Sequence, residues 1–203
     1  ASETKLDELC RQLELRPDDH LLEIGTGWGG MAIHAAKYFG CRVTTTTISQ
    51  EQYVYACTRV REEGLEHRIT LLCEDYRNLT GQYDKLFSIE MIEAVGHEFY
   101  QNYFRSCAAL LKHDGKMVLQ AITVADQRYA AARDSVDFIQ RYIFPGGCLP
   151  SVAVMAQHIA TDTDMQIVHL RDITHDYATT LAHWRERFMA KLDLVLSMGF
   201  SEE

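Results

Sequence analysis

Three clusters in this 203-residue chain set reactive side chains beside backbone freedom. The first reads LLEIGTGWGG over residues 21–30, where the acid Glu23 sits in an apolar run and Gly25, Gly27 and Gly29 follow at alternate positions. Glycines carry no Cβ, so a turn built from them can lie against a ligand where the next helix opens, which suits a nucleotide-bearing cofactor. Gly25, Gly27 and Gly30 also satisfy G-x-G-x-x-G. A dinucleotide site, however, asks for an acid about 20 positions on, at the end of the second strand. There the chain reads RVTTTTISQEQ, and the strand tip is threonine. The second cluster is FSIEMIEAVG, which carries Glu90 and Glu93. A carboxylate just after a buried strand can serve as a base, or it can satisfy free N–H groups where a helix starts near His97. The third is RYIFPGGCLPS, which sets Tyr142 and Phe144 beside Gly146 and Gly147. It reads as a bendable aromatic wall for a long apolar ligand, or as a turn packed on the sheet between Pro145 and Pro150.

These clusters need a scaffold, and apolar periodicity supplies one by alternating helix with strand. The pattern predicts an α/β domain of three layers around a mostly parallel sheet. A helix over 4–15 turns Leu6, Leu9, Cys10 and Leu13 to one face, and a strand follows at 20–24. A helix over 29–39 ends at Gly40, a β-branched strand covers 42–47, and Ser49 caps a helix that Gly64 stops after residue 63. Strands are predicted at 68–73 and 85–89, a helix at 97–112, and a strand at 116–121 after a turn at Gly115. Residues 126–151 break the rhythm at the carboxyl end of a strand, where open α/β sheets bind ligands, and are expected to cover the substrate. A helix at 151–161, a strand at 165–172 and a helix at 177–198 complete the reading, with Trp184 and Phe188 as core on the last.

Composition narrows the function. A formal net charge of -9 argues against nucleic acid and against unaided binding to an anionic membrane. The six cysteines include no C-x-x-C and the nine histidines no H-E-x-x-H, so reduced core thiols and no metal site are expected. No apolar run approaches the roughly 20 residues that span a bilayer, and the first ten residues hold no signal-peptide core. The expected picture is a single domain over 1–203 in the cytoplasm, its oligomeric state open.

Glu23 two residues before the first glycine is the pattern of S-adenosylmethionine (SAM) methyltransferases. Together with TTTTISQEQ, EDYRNL, FSIEMIEAVG, RYIFPGGCLPS and DYATTLAHWRERF, it makes the chain resemble the cyclopropane fatty acid synthase family from Leu6 to Phe200. That family belongs to the Rossmann-like class I SAM-dependent methyltransferases. The resemblance implies that Glu23, Gly25, Thr26, Gly27, Trp28 and Gly29 line the methionine half of SAM. Thr47, Ile48 and Gln52 would meet the ribose, and Asp75, Tyr76 and Arg77 would flank the adenine. Tyr142, Phe144, Gly146 and Gly147 would form the substrate wall. The implied reaction is methyl transfer to a cis-unsaturated acyl chain of a phospholipid, giving a cyclopropane or a methylated chain, with the protein peripheral at a membrane. The implied base is a bound bicarbonate, for which Glu93 matches the family's glutamate and Ile89 its backbone position.

Two departures bear on that base. Ala94 stands where the family has histidine in FEHVG, and Gln120 in VLQAI replaces the bicarbonate-site histidine. A glutamine forms hydrogen bonds but carries no titratable proton. The resemblance also implies segments before and after this chain, with a cysteine, a tyrosine and a seventh strand between the fifth and sixth. Two other readings stay open: a methyltransferase for a soluble acceptor, and a non-catalytic SAM-binding module.

Overall fold

The computed structural model describes residues 2–201; residues 1, 202 and 203 lie outside the described residues. The chain divides into two compact units, Ser2–Ile167 and a second from Val168 onward.

The first unit is built on a sheet whose strands β2 and β3 are rich in β-branched and apolar residues, while β4 and β5 carry charged residues in their first halves. Helix α1 (Ser2–Gln12) leads to strand β1 (His20–Ile24). Helix α2 (Gly30–His34) widens into a π turn over Ala35–Phe39, which Gly40 closes with φ 72°. Strand β2 (Arg42–Thr47) is followed by helix α3 (Gln50–Glu62), whose first turn is capped by the Ser49 hydroxyl accepting from the Gln52 N–H at 3.3 Å. Strands β3 (Ile69–Cys73) and β4 (Tyr83–Ile89), helix α4 (Tyr100–Leu110) and strand β5 (Leu111–Gln120) complete the regular part. The five strands are all parallel, in the order β3-β2-β1-β4-β5. This is the parallel α/β arrangement expected from the alternating pattern, and the Rossmann-like class I arrangement that the resemblance implies.

Strand alternation sorts the core into two layers. Leu21, Val43, Ile69 and Phe87 face α1, α2 and α3 through Leu9, Leu13, Ile33 and Val60. Leu22, Ile24 and Leu86 face the opposite side, against Tyr100, Tyr103, Phe104 and Cys107 of α4. Side chains pack on both faces because neighbours along a strand point opposite ways. β1 lies between β2 and β4, so the chain's connections diverge on either side of it. Such a reversal opens a crevice at the carboxyl ends of the strands.

Beyond β5 the chain carries two short helices, α5 (Tyr129–Arg133) and α6 (Phe138–Tyr142), then α7 (Val152–Asp162), capped by Ser151. Val154, Met155 and Ile159 of α7 pack on the α4 side of the core. The second unit holds α8 (Thr174–Met189) and α9 (Leu192–Ser197).

Several expectations are corrected. β5 starts at Leu111, and its register against β4 slips between Tyr83 and Lys85, so the turn at Gly115 lies inside the strand as an irregularity. No strand forms over 165–172: among the described residues the sheet ends at β5, and this segment makes no ladder with it, so alternation alone does not make it a strand. The last long helix breaks after Met189, and Trp184 and Phe188, expected as core, are exposed.

Candidate active site

The turn after β1 is shaped by backbone bonds from β2. The N–H groups of Gly25 and Thr26 both donate to the Thr46 carbonyl, at 3.1 and 2.9 Å. Gly25, Gly27 and Gly29 all take left-handed φ values, of 100°, 51° and 80°. A Cβ on Gly25 would meet Met91 Cγ at 3.2 Å, and one on Gly29 would meet Ala56 Cβ at 3.2 Å; one on Gly27 would point into open space. Two glycines are therefore demanded by packing as well as by φ, while Gly27 is demanded by φ alone and faces open space.

Glu23 lies at the floor of this turn. Its residue is 3% exposed, so burial pushes its carboxyl up to about 8, against a lesser lowering by Thr45. Parallel register sets Glu23 beside Thr45, whose hydroxyl donates to Glu23 Oε2 at 2.7 Å and bonds the Thr26 hydroxyl at 2.7 Å. With the Thr45 proton spent on Glu23, the Thr26 hydroxyl is the donor in the second bond.

At the tip of β2 the Thr47 hydroxyl donates to Gln52 Oε1 at 2.8 Å and accepts from the Ser49 N–H at 3.1 Å, which orients the Gln52 amide. Ile48 stands out, 80% exposed, and Trp28 is exposed, its ring edge-on to Tyr55 at 5.3 Å and its carbonyl accepting from Arg59 Nη1 at 3.2 Å. After β3, Asp75 accepts from the Arg77 backbone and Nε at 2.9 Å each, and from Nη2 at 2.6 Å. The guanidinium bonds hold the Asp75 carboxyl below its ordinary range. Tyr76 is half-buried, edge-on to Tyr103 at 5.8 Å, and packs on the second core layer. Arg77 thus serves Asp75, and Tyr76 serves the core.

The opposite wall of the crevice is the segment after β4. Glu90 turns it with φ 50°, a left-handed conformation that costs a non-glycine residue roughly 1–2 kcal/mol. Gln120 at the end of β5 holds that turn twice: its carbonyl accepts from the Glu90 N–H at 2.8 Å, and its Nε2 donates to Glu90 Oε1 at 2.6 Å. The bend sends Glu93 across to the exit of β5, where Oε1 accepts from the Ile122 N–H at 2.6 Å. Glu93 Oε2 and Gln120 Oε1 are buried without a hydrogen-bond partner. Burial raises the Glu93 carboxyl, the Ile122 bond opposes this, and the nearby Glu90 charge adds to the rise. Glu93 does not cap a helix start. Its carbonyl instead accepts from the Cys148 N–H at 2.7 Å and so ties down the end of the cover.

The amide brought to Glu93 is that of Ile122. Ile89 pairs with Gln120 in the ladder and packs against the first core layer. In the cover, Gln140 Nε2 donates to the Gly147 carbonyl at 2.9 Å, and the Tyr100 hydroxyl donates to the Cys148 carbonyl at 3.0 Å. Gly146 takes φ 82°, and a Cβ on Gly147 would meet the Phe144 carbonyl at 3.1 Å. Tyr142 and Phe144 are both exposed, as are Val136, Phe138, Ile139 and Ile143.

A family model described as mycolic acid cyclopropane synthetase matches residues 1–203, the whole chain. The chain belongs to the mycolic acid cyclopropane synthetase family. It is 40% identical over 202 residues to tuberculostearic acid methyltransferase UfaA1 of Mycobacterium tuberculosis, covering 100% of this chain and 47% of that protein. It is 39% identical over 190 residues to the cyclopropane-fatty-acyl-phospholipid synthase of Escherichia coli, covering 94% and 47%. The chain spans about half the length of these curated relatives. The structure of mycolic acid cyclopropane synthase CmaA1 complexed with SAH and CTAB matches with a TM-score of 0.86 and 26% identity, over 96% of this chain and 71% of that one. The cyclopropane synthase MmaA2 from Mycobacterium tuberculosis gives 0.85 at 22% identity over 96% and 71%, a likeness of fold alone.

Within this member of the mycolic acid cyclopropane synthetase family, two residues bonded to the candidate acids, Thr45 and Ile122, escape a reading of the sequence, and Glu90 is visible in it without a role. Thr45 is hidden in a run of four threonines, and only register against Glu23 singles it out. Ile122 acts through its amide, which no side-chain pattern reveals. Glu90 carries a signal in its type: a glutamate in a turn that forces φ positive is out of place unless its side chain is used.

Proposed function

We propose that this chain is the cofactor-binding and reacting part of a SAM-dependent C-methyltransferase that acts on an unsaturated fatty acyl chain of a phospholipid, giving a cyclopropane or a methylated acyl chain. The observation that carries the reading is the crevice between β1 and β4, where a buried acid on an open glycine turn faces a second acidic segment through the Gly25–Met91 contact. The names of the relatives support the same class.

The residues fit SAM. Glu23, with no cation of its own, offers a carboxylate to the ammonium of the methionine moiety, and Thr45 and Thr26 fix its oxygen. Gly27 leaves room for the ligand, Thr47 and Gln52 present an ordered pair to a ribose, and Asp75 offers an acceptor to an adenine amine. Trp28 and Ile48 supply apolar surface at the mouth. When bound, SAM supplies an electrophilic methyl to the π electrons of a cis alkene, which leaves a carbocation on the acyl chain. The chain's own task is then to keep water from that cation and to remove one proton. The exposed apolar run from Val136 to Phe144 suits a lipid tail better than a soluble acceptor, and it supports transient contact with a membrane face from the cytoplasmic side. Among the described residues no helix is long and apolar enough to cross a membrane.

For bicarbonate, the base implied by resemblance, the chain offers two buried polar atoms without a partner, Glu93 Oε2 and Gln120 Oε1, while the Ile122 N–H is given to Glu93 and the Gln120 Nε2 to Glu90. The O–H of a bicarbonate is the group such acceptors can take.

The test is incubation of the full-length protein with isotopically labelled SAM and vesicles of cis-unsaturated phospholipid. Mass analysis of the acyl chains before and after oxidative cleavage of double bonds reads the product. Label in a chain that resists cleavage means a ring, and label in a chain that still cleaves means methylation without one. SAM binding with no label in lipid would contradict the reading.

A further inference from the structure

Resting on the methyl-transfer reading above, we propose that Glu90 is a positioning residue for the buried site at the exit of β5: it turns the Gln120 amide so that Oε1 faces that site, which thereby selects a small oxyanion that brings its own O–H, bicarbonate, over anions that have none. Two observations on opposite sides of the amide carry this. Gln120 Nε2 donates to Glu90 Oε1 at 2.6 Å, and Gln120 Oε1 is buried without a hydrogen-bond partner. A carboxylate oxygen only accepts, so Nε2 and not Oε1 must face Glu90, and that bond decides which way the amide points.

The pair is also joined through the backbone. The Glu90 N–H donates to the Gln120 carbonyl at 2.8 Å, and Glu90 holds a left-handed φ of 50°, which a glutamate keeps only where its surroundings impose it. Main chain and side chain of Glu90 therefore both bond Gln120 across the ends of β4 and β5, beside the Ile89–Gln120 pair. Glu90 is itself exposed, so its effect on the buried space passes through Gln120.

Two residues past Gln120, the Ile122 N–H donates to Glu93 Oε1 at 2.6 Å, and Glu93 Oε2 is the second buried atom without a partner. The two acids thus bond the exit of β5 at neighbouring points, and each leaves an oxygen open there, Glu93 its own and Glu90 that of Gln120. A buried acceptor without a donor is costly, so a ligand that supplies a donor is favoured. Of the two oxygens that of Gln120 is uncharged, and an anion's O–H approaches it against less repulsion than it meets at a carboxylate. Nitrate and formate are also small planar anions but carry no O–H. With the amide held as it is they meet only acceptors, whereas a reversed amide would offer Nε2 to all three alike.

The experiment titrates the full-length protein with isotopically labelled bicarbonate, followed by NMR line width in buffer stripped of carbon dioxide with S-adenosylhomocysteine bound, and competes it with nitrate and with formate. Wild type is expected to hold bicarbonate at least tenfold tighter than either competitor. Glu90→Gln can donate as well as accept and so frees the amide to reverse. It is expected to weaken bicarbonate at least fivefold and to bring nitrate within threefold of it, with SAM affinity within twofold of wild type. Gln120→Leu should weaken bicarbonate at least tenfold, and Glu90→Gln added to it should change affinity by less than twofold, as a residue acting through Gln120 requires. In turnover with labelled SAM and cis-unsaturated phospholipid vesicles, Glu90→Gln should raise the bicarbonate needed for half-maximal rate at least fivefold and leave the rate at saturating bicarbonate within twofold. A wild type that binds nitrate as tightly as bicarbonate, a Glu90→Gln variant with unchanged preference, or two changes whose effects simply multiply would each overturn the role of Glu90. Labelled lipid from a wild type that binds no bicarbonate would overturn it too and leave the function standing, whereas SAM and bicarbonate both bound with no label in lipid would overturn the function beneath it.

Discussion

Burial keeps the Glu23 carboxyl protonated up to about pH 8 in the free protein, whereas an ammonium placed against it needs the ionised form. Binding of SAM should therefore release a proton below that pH, and affinity should fall toward tenfold per unit as pH drops from 8 to 6.5. Titration calorimetry in buffers of different ionisation enthalpy measures the release directly; affinity flat with pH would count against the Glu23–ammonium contact. The same shift has a sign for stability. Because the folded value lies above the ordinary glutamate value of 4.5, the contribution of Glu23 is fully present below about 4.5 and lost as pH rises through about 8. A Glu23→Gln variant without ligand should gain thermal stability relative to wild type as pH rises across that window, and should bind SAM at least tenfold more weakly at pH 8. At this scale the acid, the glycines and Glu93 were legible because their types are unusual in a strand end. Thr45 and the Ile122 amide were not, since pairing register and backbone direction choose them.

The turn after β1 shows how far an element can be read from spacing. Its position followed from an apolar run meeting alternate glycines, but the separate duties of those glycines follow from what lies around them: Met91 for Gly25, Ala56 for Gly29, open space for Gly27. A Gly27→Val change is expected to fold, with a loss of roughly 1–2 kcal/mol from the left-handed φ, and to abolish SAM binding by filling that open space. Binding retained in calorimetry would move the cofactor elsewhere. The bounds of β1 and β2 matched their apolar and β-branched runs because both are buried on two faces. The 165–172 segment and β5 were harder. Alternation cannot report whether a neighbouring edge exists, nor that a strand will begin before a glycine turn and slip its register. Trp184 and Phe188, spaced like core, are exposed, since spacing orders a helix face without saying what covers it.

At the scale of the whole molecule, a net charge of -9 discourages adsorption to anionic lipid, so contact with a membrane has to come from apolar surface. Under the proposed function, the exposed Val136, Phe138, Ile139, Tyr142, Ile143 and Phe144 would supply it, on a segment pinned at its end by Cys148 and Tyr100. Replacing Phe138 and Phe144 together by Ser should raise KM for vesicles at least fivefold while SAM affinity stays within twofold, and added salt should not weaken wild-type vesicle binding. A KM unmoved by the double change would take the cover out of lipid capture. The central claim joins the glycine turn, the acidic segment and this apolar run in one transfer from SAM to an acyl double bond. Its most direct test offers the full-length protein labelled SAM with two sets of vesicles alike in headgroup and chain length, one cis-unsaturated and one saturated. The account predicts label in the unsaturated chains and none in the saturated ones. Equal labelling of both, or label found only in headgroup or water-soluble products, would contradict it.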